Sequence, residues 1–180
     1  MHHDRISNSN EFTLELCASC IRALDRSVLR MASDHGREAK AMEAGRRIRN
    51  GSRDIFDLVA IANWKAPRAA HHLKSNTAEG ITAALNVATD ADVSVEQKVE
   101  ALDELVGVNV PMASAILTCI YPDAYTVIDT KALDALRLEK PIMSKELFAR
   151  YLSFCRSAAS SLGVELRQLD RALWKSGSIG

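Results

Sequence analysis

Nowhere in the 180 residues does an apolar run approach the ~20 needed to span a bilayer, so the sequence predicts no membrane helix and no membrane partner. The first ten residues, Met-His-His-Asp-Arg-Ile-Ser-Asn-Ser-Asn, are polar and lack the apolar stretch of a secretory signal; a cytoplasmic protein is expected. An excess of charge of either sign is also missing. Lys plus Arg (23) equals Asp plus Glu (23), so net charge points to no polyanionic partner. Cysteine is sparse: Cys17, Cys20, Cys119 and Cys155. Cys17 and Cys20 are spaced for one face of a helix. A zinc site would need both distant cysteines to converge on them, and buried core thiols are the better expectation. No segment shows convincing strand alternation; residues 124–128 are extended but short. No repeat, low-complexity tract or linker divides the chain.

What is present is helical periodicity. The apolar fraction of 47% and charged fraction of 26% suit an ordinary globular protein. Residues 11–32 place Leu14, Cys17, Ala18, Ile21, Leu24, Val28 and Leu29 on one stripe. Helices are also predicted over 37–48, ended by Asn50-Gly51, over 52–63, around Ala70 and Leu73, and over 77–88. Further ones follow over 93–105, 111–120, from Asp129 to about Leu138, 144–162 and 165–174. The fold class is all-α, one compact domain spanning 1–180.

Charge is unevenly placed within that neutral total. Residues 37–53 carry Arg37, Lys40, Arg46, Arg47, Arg49 and Arg53 against Glu38 and Glu43. Residues 64–74 carry Lys65, Arg68 and Lys74, with His71 and His72 and no acid, whereas 90–104 is acidic. A neutral protein with this layout can present a basic face to DNA, although solvated helix faces explain each run equally well. His71 and His72, being adjacent, are expected on different faces of a helix at the surface. Trp174 is expected to close the core.

The densest chemistry lies between Leu102 and Leu133. Two predicted helices, with the hairpin motif spanning about 93–120, are joined by Val106-Gly107-Val108-Asn109-Val110. Gly107 and Asn109 are the residue types that most readily take positive φ, and Val108 can plug into the core. Pro111 suits the first helical position. Ala113 and Ala115 allow the second arm to cross closely over the first. Such a turn aims unpaired N–H groups outward, where they can hold a phosphate. Asp129 then opens a helix, sixteen residues after Ala113. Read alone, it is a helix cap.

Taken together, Leu102-Asp-Glu-Leu-Val-Gly-Val-Asn-Val-Pro-Met-Ala-Ser-Ala-Ile-Leu followed by Val127-Ile-Asp-Thr resembles the helix-hairpin-helix (HhH-GPD) DNA glycosylases. The family pattern is Leu-x-x-Leu-Pro-Gly-Val-Gly-x-x-x-Ala-x-x-Ile-Leu. Val106 stands here for its proline and Asn109 for its second glycine. The likeness covers about 35 residues closely. It implies a two-lobed helical fold whose cleft holds a nucleotide flipped from double-stranded DNA. It implies Asp129 as the catalytic carboxylate, opposing positive charge on the deoxyribose and orienting water. Phosphate-binding amides would come from Gly107, Asn109 and Val110. A monovalent cation, Na or K, would sit at carbonyls near Asp103, Leu105 and Val108; no other cofactor is implied. Bifunctional members carry a lysine where this chain has Pro111, and Lys65 and Lys131 lie elsewhere in the pattern. A monofunctional, water-using enzyme that leaves an abasic site is therefore expected, acting as a monomer. Asn63, Trp64, Lys65 and Arg68, with Asn76 behind them, are the candidates for a base pocket or wedge. Small members of this superfamily also act in antiviral defence, removing bulky modified cytosines such as glucosylated hydroxymethylcytosine from phage DNA. The same residues are compatible with a non-catalytic hairpin DNA-binding protein, or with an unrelated helical interaction protein in which the hairpin is merely a tight turn.

Overall fold

The computed structural model describes residues 35–136, 138 and 142–177; the helix expected over 11–32, with Cys17 and Cys20, lies outside them. The described residues are helical and contain no strand. They form α1 (His35–Arg49), α2 (Ile55–Lys65), α3 (Ala78–Thr89), α4 (Val95–Asp103), α5 (Val110–Ile120), α6 (Thr130–Ala135), α7 (Lys145–Leu162) and α8 (Leu166–Ser176). The helix expected around Ala70 and Leu73 is instead two 3-10 turns, Pro67–Ala69 and His72–Ser75. Pro67 lacks the N–H that would continue α2, so the chain restarts there. No described helix is long and apolar enough to cross a membrane.

Local chemistry sets the boundaries. Side chains of Asp54, Thr77, Ser94, Asn109, Asp129 and Ser144 each accept a backbone N–H at the start of the following helix. Ser52, where the helix was expected to start, lies ahead of α2 and donates to Asp57, which is buried and also takes two bonds from Arg47. Gly51 and Gly163 end α1 and α7 with positive φ.

The centre of the molecule is α5, buried along its length except at Pro111. It packs against α1, α2, α4 and α7, while α3 pairs with α4 and α6 with α8. At the α1–α5 crossing a Cβ on Gly45 would lie 2.0 Å from the Cys119 carbonyl oxygen, so only glycine permits this approach. Cys119 and Cys155 are buried thiols, as expected of core residues, and burial pushes the Cys119 thiol up to about 12.

Three long-range polar contacts lock the C-terminal helix to the first two. Arg167 on α8 bonds Glu38 on α1 and its neighbour Asp170, and its guanidinium lies 5.1 Å from the Trp64 ring on α2. Arg171 adds a 2.7 Å bond to the same Glu38 carboxylate. Burial raises the Glu38 carboxyl, but the bonds and charges of Arg171 and Arg167 more than offset this and hold it below its usual range. Trp174 corrects an expectation. It is 49% exposed, with Lys131 of α6 4.1 Å over its ring, because the apolar face of α8 is already filled by Leu166, Leu169 and Leu173.

Candidate active site

Helices α4 and α5 are joined by the hairpin turn 104–109. Gly107 has φ +87°, as its residue type suggested, and a Cβ there would fall 2.8 Å from His72 Cβ and 3.3 Å from the Ala69 carbonyl oxygen. The turn is thus pressed against the basic segment that follows α2. Asn76 holds it from the other side, accepting the Val106 N–H at 2.8 Å and donating to the Val106 carbonyl at 2.9 Å. Asn76, expected to offer a polar group to a pocket, is a brace for the hairpin. Nothing in its local sequence announces a partner thirty residues away.

Asn109 is not left-handed. Its φ of −130° is extended, and its side chain accepts the Met112 N–H at 3.1 Å as the cap of α5. One positive-φ residue suffices here because the cap itself redirects the chain. Helix α5 therefore begins at Val110, and Pro111 is its second residue. Val108 is buried, plugging the turn as expected. The N–H groups of Gly107, Asn109 and Val110 have no acceptor among the described residues, which leaves them able to meet an anion. Of the carbonyls expected to face a cation, that of Leu105 already accepts the Val108 N–H at 3.0 Å, while those of Asp103 and Val108 take no bond outside the helices among the described residues.

The first turn of α5 also positions the acid. Ser114 is fully buried; its hydroxyl donates to the Pro111 carbonyl and accepts the Ile128 N–H at 3.1 Å. Behind it, the hydroxyl of buried Tyr151 on α7 donates to the Val127 carbonyl at 3.3 Å. Burial pushes that phenol well above its usual range, and the Asp129 charge acts in the same direction. These two contacts fix the extended chain just before Asp129.

Asp129 uses its oxygens separately. Oδ1 accepts the Ala132 N–H at 2.9 Å as the cap of α6; Oδ2 accepts from Lys65 Nζ at 2.6 Å. Both side chains are largely shielded, 15% exposed for Lys65 and 16% for Asp129. Lys65, expected as a pocket or wedge residue and excluded only as the hairpin's nucleophile, is brought by the fold across 64 residues onto the carboxylate. In such shielding the Coulomb attraction is several times what it is in water.

The remaining candidates scatter. Trp64 is half-buried, with one face against Arg167. Asn63 and Arg68 are exposed and have no hydrogen-bond or ionic partner among the described residues. His71 and His72 are both exposed, but their rings lie against each other, centroids 3.8 Å apart and tilted by 39°, instead of facing opposite ways, because a 3-10 turn replaces the helix. The more N-terminal basic run is largely occupied: Arg46 pairs with Glu43, Arg47 with Asp57, and Arg53 with Asn86 and Thr89. No cluster of three or more His, Cys, Asp or Glu that could hold a metal occurs among the described residues. Comparison with protein-family models, with characterised proteins and with solved structures found no match to this chain.

Proposed function

We propose that this protein is a DNA N-glycosylase of the helix-hairpin-helix type, with its two-lobed helical fold and a nucleotide cleft centred on Asp129. The observation that carries the reading is the tie between hairpin and acid. Ser114, one turn into the helix that opens behind three unpaired amides, holds the backbone of the residue preceding Asp129. A phosphate gripped at Gly107, Asn109 and Val110 would therefore register a flipped nucleoside against one fixed carboxylate. A monovalent cation at the carbonyls of Asp103, Leu105 or Val108 would strengthen that grip.

The chemistry follows from charge. Heterolysis of the N-glycosidic bond leaves positive charge on deoxyribose, which a nearby carboxylate stabilises while water attacks C1′. Pro111 has no amine, so the hairpin offers no nucleophile of its own and the product is an abasic site. Asn63, Lys65 and Arg68 are the polar groups available to a modified base, and a glucosylated hydroxymethylcytosine in phage DNA is the bulky substrate we favour, in an antiviral role. Double-stranded DNA is the partner and the protein acts as a monomer.

The test is base release from a panel of duplexes carrying damaged and hypermodified bases, including glucosylated hydroxymethylcytosine, read as strand breaks after alkali. Asp129→Asn keeps a side chain that caps helices equally well, so folding should persist while release falls by about 10²–10³-fold or more. Undiminished release by this variant removes Asp129 from the mechanism, and strand breaks without alkali contradict water as the nucleophile. One observation favours a second reading, a non-catalytic hairpin DNA-binding protein: in the free protein both Asp129 oxygens are already engaged. DNA binding without release of any base in the panel would establish that reading instead.

A further inference from the structure

The ion pair between Lys65 and Asp129 carries a second consequence. A carboxylate serves only half of a heterolysis. When the C1′–N bond breaks, its electron pair moves to the base, so negative charge grows there as positive charge grows on the sugar. A transition state with charges of both signs is best opposed by two groups of opposite sign, one on each side of the breaking bond. The structure holds such a pair at 2.6 Å, on two different elements: the last residue of α2 and the residue preceding α6. Closed, the pair cancels much of its own field. A nucleoside seated against Asp129 has to enter beside or between the two groups, and the four-carbon stem of Lys65 lets its ammonium swing while α2 stays in place.

Resting on the glycosylase reading, we infer that Lys65 is the general acid for the departing base, and that its contact with Asp129 returns the proton after each turnover. The accounting closes. The Lys65 ammonium gives one proton to the base nitrogen that receives the C1′–N electron pair. Water adds its oxygen to C1′ and loses one proton to Asp129. When the base and the abasic strand leave, the neutral amine and the protonated carboxyl meet again, and the proton crosses to re-form the ion pair. Net, one water is consumed and one neutral base, carrying an N–H where it was bonded to C1′, is released, with both side chains restored.

Single-turnover release at saturating enzyme tests this with two duplexes. One carries the neutral base that the wild type releases best from the panel above; the other carries 7-methylguanine, a cationic base that departs uncharged and needs no proton. Lys65→Met should slow release of the neutral base by about 10²-fold or more, slow 7-methylguanine by only a few-fold, and leave duplex affinity within a few-fold. Lys65→Arg keeps the positive charge but is a far weaker acid. It should therefore fold like the wild type yet stay slow on the neutral base. Equal slowing of both bases by both variants, or release by Lys65→Met as fast as or faster than wild type, overturns the assignment and leaves Lys65 a mere counter-ion. If Asp129→Asn abolishes release while Lys65→Met does not, this inference falls and the glycosylase reading stands. No release of either base by the wild type removes both.

Discussion

Replacing Gly107 with alanine would test whether the hairpin is held by its contact with the segment after α2. Two costs apply. At φ +87° an L-residue is strained by roughly 1–2 kcal/mol. The new Cβ would also sit 2.8 Å from His72 Cβ and 3.3 Å from both the Ala69 carbonyl oxygen and the Leu73 amide nitrogen. Two of those three atoms belong to backbone, so the contact cannot be relieved by one rotamer change, and overpacking of this kind costs about 1–3 kcal/mol. A stiffer unfolded chain returns about 0.4–1 kcal/mol. The net loss should be about 1–5 kcal/mol, centred near about 3 kcal/mol. Gly163 is the internal control: its φ is +64° and nothing lies within 4 Å of a Cβ there, so its alanine variant should lose about 1 kcal/mol. Urea denaturation of both variants, with a shared slope, reads the difference directly. If Gly107→Ala matches Gly163→Ala within about 0.5 kcal/mol, the approach to His72 is not a restraint and the hairpin is held otherwise.

The remaining expectations concern the acid and its supports. Ser114→Ala should destabilise by about 1–3 kcal/mol, since it strips the acceptor from the buried Ile128 N–H. On the glycosylase reading the same variant lowers the release rate more than duplex affinity; an unchanged rate would detach Ser114 from the placement of Asp129. Glu38 has a folded-state pKa below its unfolded value, so its contribution is complete above the ordinary carboxylate range near 4.5 and disappears as pH falls through the lowered value. Glu38→Gln should therefore cost about 1–3 kcal/mol at pH 7 and flatten the acid limb of a urea-midpoint titration. An acid limb as steep as that of the wild type would refute the role assigned to the Arg167–Arg171 bonds.

Much of the helical layout could be read from the chain because its signals are local. Thr77, Ser94 and Ser144 cap helices within a residue or two of the predicted starts, and Gly51 and Gly163 mark the ends of α1 and α7. Glycine 107 announced its turn for the same reason. Errors arose where tertiary contacts override type. Asn109 was free by residue type to be left-handed, but capping Met112 was the better use of its side chain. His71 and His72 would diverge on an α-helix but come into ring contact on a 3-10 turn. The pairing of Lys65 with Asp129 was illegible for a different reason: no periodicity relates residues 64 apart, and only the tertiary fold brings the end of α2 within reach of Asp129. Asn76 on Val106 is the same kind of contact. A lysine two residues before Pro67 looks solvated until the fold supplies its partner.

Arg167 has a consequence for how this molecule loosens. One guanidinium reaches Glu38 near the beginning of the described chain and covers the ring beside Lys65, while the helix bearing it also supports the short helix that Asp129 opens. Cation and anion of the central pair thus hang from a common beam, whereas the hairpin turn is anchored separately through Asn76 and His72. Fraying of that beam would let the two charges drift apart while the turn stayed in place. Hydrogen exchange should accordingly find α8 and α6 opening as one unit, ahead of α5.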